Sequence, residues 1–243
     1  MSVALLLVHA FPLDARMWGG LADGPRVVAP DLPGFGSAPV PDDGVLTMAV
    51  AADAALAALD RAVVDRAVVC GLSMGGYVAF ELWRRAPERV AGLVLANTRA
   101  EPDTVEAREA RLALVDRLRA EGNVLASEPP PLLADDADDV LRERVRVWIA
   151  SQDPGGIAAA ALGLAERPDS RPDLASIDVP TLVITSDRDR LIPPAISAPM
   201  ADAIRGAGLA VIEGAGHLSN VEQPRAFGEL LARFREHHGL GDG

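Results

Sequence analysis

The sequence predicts an α/β fold in which helices cover a doubly wound, mostly parallel sheet. Two observations support this class. Apolar runs of strand length alternate with helical segments, and one of these runs stops abruptly at a glycine-rich turn that a helical pattern follows at once. The chain has 243 residues, 49% of them hydrophobic, which is enough for one large domain with a sizeable core.

Each strand is predicted from an apolar run of suitable length. Six runs qualify, at residues 3–9, 26–30, 67–70, 92–96, 181–185 and 209–213. Helical patterns alternate with them at residues 15–21, 47–60, 77–86, 195–204 and 224–238. Thr47 is expected to cap the second of these helices, because a threonine oxygen can accept a free N–H of the first turn.

The alternation stops between residues 99 and 172. This stretch contains only helical patterns, near residues 104–121, 137–152 and 156–166. A helical insertion between two parallel strands predicts a cap over the carboxyl edge of the sheet, where ligands bind in open α/β sheets. We therefore expect a core of residues 1–98 and 173–243 and a cap of residues 99–172. Sideways packing of the inserted helices is the alternative.

Composition excludes several classes of function. The net charge of −12 argues against nucleic acid and anionic membranes as partners. All 23 basic residues are arginine, so lysine Schiff-base chemistry and a lysine-bearing phosphate loop are excluded. The lone Cys70 is expected to pack in the core. The apolar run at residues 3–8 is too short for a signal peptide or a membrane span, so we expect a cytoplasmic protein.

The glycine-rich turn is the strongest functional signal. Gly71-Leu72-Ser73-Met74-Gly75 follows an apolar strand and precedes a helical pattern, which is the context of a nucleophile elbow. Such a tight turn predicts a strained backbone at Ser73 and no room for a side chain at residues 71 or 75. The alternative is an ordinary glycine-rich turn that happens to contain a serine.

A serine nucleophile needs a histidine base and a carboxylate, in the chain order Ser, acid, His. His217 lies in a glycine-rich loop after the last predicted strand and satisfies this order. His9 precedes the serine, and His237 and His238 lie in a polar tail, where solvation is the simplest interpretation. Two aspartates, Asp187 and Asp189, follow the strand at residues 181–185, and chain order alone does not choose between them.

Five segments together resemble the α/β-hydrolase superfamily, in particular its small capped carboxylesterases and 3-oxoadipate enol-lactonases. They are the loop at residues 9–12, the Asp-x-x-Gly-x-Gly turn at 31–36, the elbow at 71–76, the acid-bearing turn at 182–193 and the histidine loop at 214–217. Matched on the proline that follows the acid in this family, the resemblance implies that Asp189 is the acid. It also implies an oxyanion hole built from the backbone N–H groups of Phe11 and Met74, with His9 bracing the loop.

Three departures from the family pattern stand out. Ala10 and Ser186 occupy positions where the family usually has glycine. The usual N-terminal pair of strands is expected to be missing, which leaves about six strands and places residues 26–30 near an edge.

The resemblance implies hydrolysis of a small or medium ester, lactone or thioester through an acyl-enzyme, with no metal or organic cofactor. The expected partner is therefore a small molecule, and assembly into a homo-oligomer is left open. The alternatives are perhydrolysis or C–C bond hydrolysis on the same triad, and ligand binding without turnover. Residues of the predicted cap that are candidates for lining the pocket are Leu141, Trp148, Leu162 and Leu164.

Overall fold

A computed structural model describes residues 3–24 and 26–241. The described residues form a six-stranded sheet with the order β2-β1-β3-β4-β5-β6, in which all neighbouring strands are parallel. The strands are β1 (Ala4–Val8), β2 (Val27–Val28), β3 (Ala67–Leu72), β4 (Val90–Ala96), β5 (Thr181–Ser186) and β6 (Gly208–Ile212). The predicted fold class is confirmed, and the strand at residues 26–30 is an edge strand only two residues long.

The central strands owe their position to continuous apolar sequence. Every residue of β1, β3, β4 and β5 is buried, as expected for a parallel sheet that is covered on both faces. Helices α1 (Met48–Arg61), α2 (Met74–Arg85) and α9 (Pro224–His237) accompany these strands. Helix α1 begins as predicted, because the side-chain oxygen of Thr47 accepts the N–H of Val50 at 3.1 Å.

Between β4 and β5 the chain forms α3 (Val105–Glu121), α4 (Asp139–Ala150) and α5 (Pro154–Ala165). Helix α5 lies directly against the backbone of the Asp-x-x-Gly-x-Gly turn. A Cβ at Gly156 would lie 1.8 Å from the carbonyl oxygen of Gly34, so only glycine allows this approach. The side chain of Gln152 adds a second link, since it accepts the N–H of Gly36 and donates to Asp14.

Three predicted helices differ in detail. Helix α2 begins at Met74, three residues before the predicted start, because both Gly75 and Gly76 are already helical. The predicted helix at 195–204 is divided into α6 (Pro194–Ser197) and α7 (Pro199–Ala203), since Pro199 has no N–H to continue the first helix. The predicted helix at 15–21 is a 3-10 helix over Ala15–Asp23, interrupted at Gly19, where φ is 47°.

A short helix α8 (Ser219–Glu222) follows the loop after β6. Cys70 lies in β3 and is fully buried, as predicted, and burial raises the pKa of its thiol far above the ordinary value. Within residues 3–24 and 26–241, no helix has both the length and the apolar character that crossing a bilayer requires.

Candidate active site

Ser73 lies at the tip of the turn between β3 and α2. Its backbone has φ 54° and ψ −113°, a strained conformation for a residue with a side chain. A Cβ on Gly71 would lie 2.1 Å from the carbonyl oxygen of Gly75, and one on Gly75 would lie 2.0 Å from that of Val8. The predicted steric reason for both glycines is confirmed.

Neighbouring backbone holds the turn in place. The N–H of Ser73 donates to the carbonyl of Ala96 at 2.9 Å, and the hydroxyl of Thr98 donates to the carbonyl of Ser73 at 2.8 Å. Both partners lie at the end of β4 or just after it, so the elbow is fastened to the adjacent strand. Ser73 is partly exposed, and it begins a helix whose N-terminus favours negative charge.

Among the predicted partners, the structure brings His217 and Asp189 together. Nδ1 of His217 lies 2.8 Å from Oδ2 of Asp189, and both side chains are buried. An ionised carboxylate only accepts hydrogen bonds, so Nδ1 carries the proton and Nε2 is left free to accept one. His217 and Ser73 line the same cavity.

Asp187 does not contact His217. It is exposed, and its Oδ1 accepts the N–H of Gly214 at 2.7 Å. The two aspartates therefore have different surroundings although only one residue separates them. Asp187 stabilises the start of the histidine loop, and Asp189 contacts the imidazole.

Both oxygens of Asp189 are satisfied. Oδ1 accepts the N–H groups of Leu191 and Ile192, each at 2.9 Å, and Oδ2 accepts Nδ2 of Asn97 at 2.9 Å in addition to His217. Burial acts to raise the pKa of Asp189. The hydrogen bonds from His217, Ile192 and Asn97, together with the attraction of a protonated imidazole, outweigh burial and hold the pKa of Asp189 below its ordinary value. The carboxylate therefore stays ionised near neutral pH.

Asn97 is a site residue that sequence reasoning missed. It is fully buried at the end of β4 and has a φ of 44°, a conformation that asparagine adopts more readily than most residues. Its Nδ2 also contacts the hydroxyl oxygen of Ser186 at 2.6 Å, and its Oδ1 accepts the hydroxyl of Ser219 at 2.6 Å. The sequence signal that could have identified Asn97 is its position, as a polar residue directly after β4, the strand next to the elbow strand.

Ser186, which stands where the family usually has glycine, belongs to the same network. Its hydroxyl donates to the carbonyl of Gly216, one residue before His217. It thereby joins the strand that carries the acid to the loop that carries the imidazole. The substitution of serine for glycine adds a hydrogen bond inside the site.

A carboxylate from α8 connects the histidine loop to the segment before α4. Oε2 of Glu222 accepts the N–H of Gly216 at 2.7 Å, and Oε1 accepts that of Ala134 at 2.8 Å. The N–H of Leu218 donates to the carbonyl of Leu132 at 3.0 Å. Burial raises the pKa of Glu222, and the two N–H groups oppose that effect. His217 is thus fixed to the wall of the cavity that contains Leu132.

Phe11 and Met74, the predicted oxyanion-hole residues, line the cavity beside Ser73. In the described turns and loops, neither backbone N–H donates to a carbonyl. Met74 is the first residue of α2, so its N–H is among those that a helix leaves without an internal partner. Both N–H groups are therefore without a carbonyl partner in these segments, and both residues line the cavity that contains Ser73.

His9 supports the loop that carries Phe11. It is fully buried, its Nε2 accepts the N–H of Leu32 at 3.0 Å, and its Nδ1 lies 3.0 Å from the carbonyl oxygen of Ala10. Burial lowers its pKa, so the ring is neutral. The predicted bracing role is confirmed. His237 and His238 are exposed at the end of α9, as predicted.

The cavity at Ser73 has a volume of about 170 Å³. Of the four proposed lining residues, only Leu164 lies in its wall. Leu141 and Leu162 do not line it, and Trp148 lines a different cavity beside Trp18, so these three expectations were wrong. The remaining walls are formed by Phe11, Met74, Tyr77, Arg99, Arg111, Pro130, Leu132, Leu191, Ile192 and His217. The two arginines were not predicted, because charged residues in a helical insertion are usually solvated.

Comparisons with known proteins agree with this architecture. A family model described as the alpha/beta hydrolase family matches residues 5–230. A thermophilic esterase from Thermogutta terrifontis, solved with malate bound, is 41% identical, with a TM-score of 0.91 over 98% of this chain and 91% of that one.

Two sequence relatives are also similar. A 3-oxoadipate enol-lactonase of Acinetobacter baylyi is 32% identical over 72% of this chain and 66% of its own length. A pimeloyl-[acyl-carrier protein] methyl ester esterase of Neisseria meningitidis serogroup B is 32% identical over 95% of this chain and 92% of its own length. The chain belongs to the α/β-hydrolase family and is a hydrolase.

Proposed function

We propose that this protein hydrolyses small carboxylic esters or lactones through an acyl-enzyme formed on Ser73. The contact between Nδ1 of His217 and Oδ2 of Asp189 at 2.8 Å carries the proposal, because it leaves Nε2 of His217 available as a base in the cavity that contains Ser73.

In the first step, His217 takes the proton of Ser73 as the hydroxyl oxygen attacks the substrate carbonyl. The carboxylate of Asp189 holds the imidazole in the required tautomer and stabilises its positive charge. The N–H groups of Phe11 and Met74 donate to the oxyanion. His217 then protonates the leaving alcohol, which for a lactone stays attached to the acyl group.

In the second step, water attacks the acyl-enzyme. His217 removes a proton from this water, and the same two N–H groups stabilise the second oxyanion. Collapse of that intermediate releases the carboxylic acid and returns the proton to Ser73. The residues around Ser73 suffice for both steps.

The size of the cavity favours a small substrate. Its volume of about 170 Å³ is below the roughly 300–1,000 Å³ typical of sites for drug-sized ligands. Apolar side chains, among them Leu132, Leu164 and Ile192, supply walls for a short acyl chain. The names of the relatives, two esterases and an enol-lactonase, support esters and lactones as substrate classes.

Steady-state hydrolysis tests the proposal. A series of p-nitrophenyl esters of rising acyl length, together with several lactones, is assayed with the wild type and with Ser73→Ala. We expect kcat/KM to be highest for short acyl chains and turnover to disappear in the variant. Equal rates for both proteins would overturn the role of Ser73. Peracid formation from acetate and hydrogen peroxide, measured in parallel, tests the perhydrolase alternative.

A further inference from the structure

The cavity at Ser73 has a positively charged lining, although the protein is acidic. Arg99 and Arg111 line it, and none of the described residues named in its wall is acidic. The protein as a whole has a net charge of −12, so this positive region runs against the overall charge. Such a local concentration of one sign attracts a ligand of the opposite sign.

Arg99 has no protein partner among the described residues. No ion pair or hydrogen bond joins its side chain to a neighbour, and its Nε is buried without an acceptor. Glu101, two residues further on, makes no ion pair with it. A buried charged donor without an acceptor is costly, so a ligand that supplies an acceptor there is strongly favoured.

Arg111 belongs to a cluster with an excess of positive charge. Asp103, whose side chain is only 2% exposed, accepts hydrogen bonds from both Arg111 and Arg167. Arg167 is buried behind the cavity, with its Cζ 4.3 Å from the ring centre of Tyr77. One carboxylate therefore serves two guanidinium groups here, and Arg99 is a third without any carboxylate.

Arg99 is held close to the nucleophile by the backbone that carries it. The preceding residue, Thr98, donates its hydroxyl to the carbonyl of Ser73 at 2.8 Å and accepts the hydroxyl of Ser197 on its own carbonyl at 2.8 Å. The guanidinium thus extends from a fixed point next to the elbow, which is the arrangement that a specificity-determining residue needs.

We propose that the substrate is an ester or lactone carrying a free carboxylate, and that Arg99 and Arg111 bind this carboxylate. The inference rests on the proposed function and specifies its substrate class. Guanidinium groups bind planar carboxylates through paired N–H donors, and the surrounding apolar walls strengthen such contacts. The cavity of about 170 Å³ must also hold the reacting ester, which favours a carboxylate over the bulkier phosphate.

Two substrates of matched shape test the proposal. One is the monomethyl ester of glutaric acid, and the other is a methyl ester of the same skeleton with an isopropyl group in place of the carboxylate. The ratio of their kcat/KM values is measured for the wild type, Arg99→Gln, Arg111→Gln and the control Arg225→Gln. Arg225 has a side chain that is 93% exposed at the start of α9, and it does not line the cavity at Ser73.

We expect the wild type to favour the monomethyl ester of glutaric acid over the isopropyl analogue. Arg99→Gln should lower the ratio of their kcat/KM values by about 10- to 100-fold, the range for a lost hydrogen bond to a charged group. Arg111→Gln should lower it as well, and Arg225→Gln should not change it. A wild type without preference, or a ratio that survives both cavity substitutions, would overturn the proposal. An equal loss on both esters would also overturn it, because Arg99 would then act on the reacting carbonyl.

A binding measurement separates this inference from the proposed function. Calorimetric titration of Ser73→Ala with glutarate requires no turnover, and we expect binding that Arg99→Gln weakens by a similar factor. Inorganic phosphate, titrated in parallel, should bind more weakly; tighter binding of phosphate would overturn the choice of carboxylate. Hydrolysis of neutral esters without glutarate binding would reject the carboxylate site and leave the proposed function intact.

Discussion

Nδ2 of Asn97 lies 2.9 Å from Oδ2 of Asp189, the same oxygen that contacts Nδ1 of His217. One amide directly after β4 therefore helps to orient the carboxylate that contacts the imidazole. Through Ser219 and Ser186 the same amide reaches the segments on both sides of His217. Asn97, Ser186 and Ser219 thus support His217 and Asp189 without themselves lining the cavity at Ser73.

Asn97→Ala should weaken both stability and activity. It leaves the hydroxyl of Ser219 and one acceptor position of Asp189 without a partner, which costs about 1–3 kcal/mol in the free energy of unfolding. We expect kcat to fall by about tenfold with little change in KM, because the imidazole is held less well. Chemical denaturation and steady-state kinetics measure the two effects.

Asn123→Ala is the matched control for this variant. Nδ2 of Asn123 donates to the carbonyls of Ile149 and Gln152, away from Asp189. It should lose stability and keep kcat. If both asparagine variants kept the wild-type kcat, the positioning role of Asn97 would be rejected.

The two neighbouring aspartates should differ sharply in their effect on turnover. Asp189→Asn removes the negative charge beside His217, and we expect kcat to fall by about 1,000- to 10,000-fold, as when the acid of a catalytic triad is neutralised. Asp187→Asn keeps an oxygen that can accept the N–H of Gly214, so its kcat/KM should stay near that of the wild type. The reverse pattern would show that the acid is wrongly assigned.

Stability should depend on pH through Asp189. Its pKa is lower in the folded protein than its ordinary value of about 3.9, so its stabilising contribution is complete above that value and is lost as the pH falls through the folded pKa. Asp14 and Asp103 also have lowered pKa values and therefore contribute to the same pH dependence. The contribution of Asp189 is isolated by comparing the wild type with Asp189→Asn.

The free energy of unfolding is therefore measured for the wild type and for Asp189→Asn between about pH 6 and pH 3. The advantage of the wild type should shrink as the pH falls below about 4, the ordinary pKa of an aspartate. A difference that stays constant over this range would contradict the lowered pKa.

The elbow glycines should tolerate no side chain. A Cβ on Gly71 or Gly75 would approach a backbone oxygen to about 2 Å, so Gly71→Ala and Gly75→Ala should each lower the free energy of unfolding by about 3 kcal/mol or more. Gly20→Ala is the control, because its Cβ would have no neighbour within 4 Å. Thermal and chemical denaturation of the three variants show the difference. If Gly71→Ala and Gly75→Ala were as stable as Gly20→Ala, the close backbone contacts of the two elbow glycines would be contradicted.

Much of this architecture follows from local sequence. The core strands are apolar runs because both faces of the sheet are buried, and the elbow is recognisable because its glycines have steric causes. Choosing Asp189 as the acid required the spacing between acid and proline that is usual in the α/β-hydrolase superfamily, because Asp187 satisfies the same chain order. The division of core and cap at residues 99 and 172 stays a prediction.

The rest depends on contacts between distant segments. Asn97 acquires its role only when β4, β5 and the loop after β6 meet at one edge of the sheet. Arg99 and Arg111 resemble solvated arginines in the sequence, and only the cavity distinguishes them. Trp148 and Leu162 have the apolar character of a pocket wall, but neither lines the cavity at Ser73.

Labelling with a fluorophosphonate tests the central claim most directly, because this reagent reacts with an activated serine. The folded wild type should gain one adduct by intact mass, and peptide mapping should place that adduct on Ser73. Ser73→Ala should gain none, and Asp189→Asn should react far more slowly. Absence of an adduct on the folded wild type, or an adduct at another residue, would contradict the assignment of Ser73 as the nucleophile.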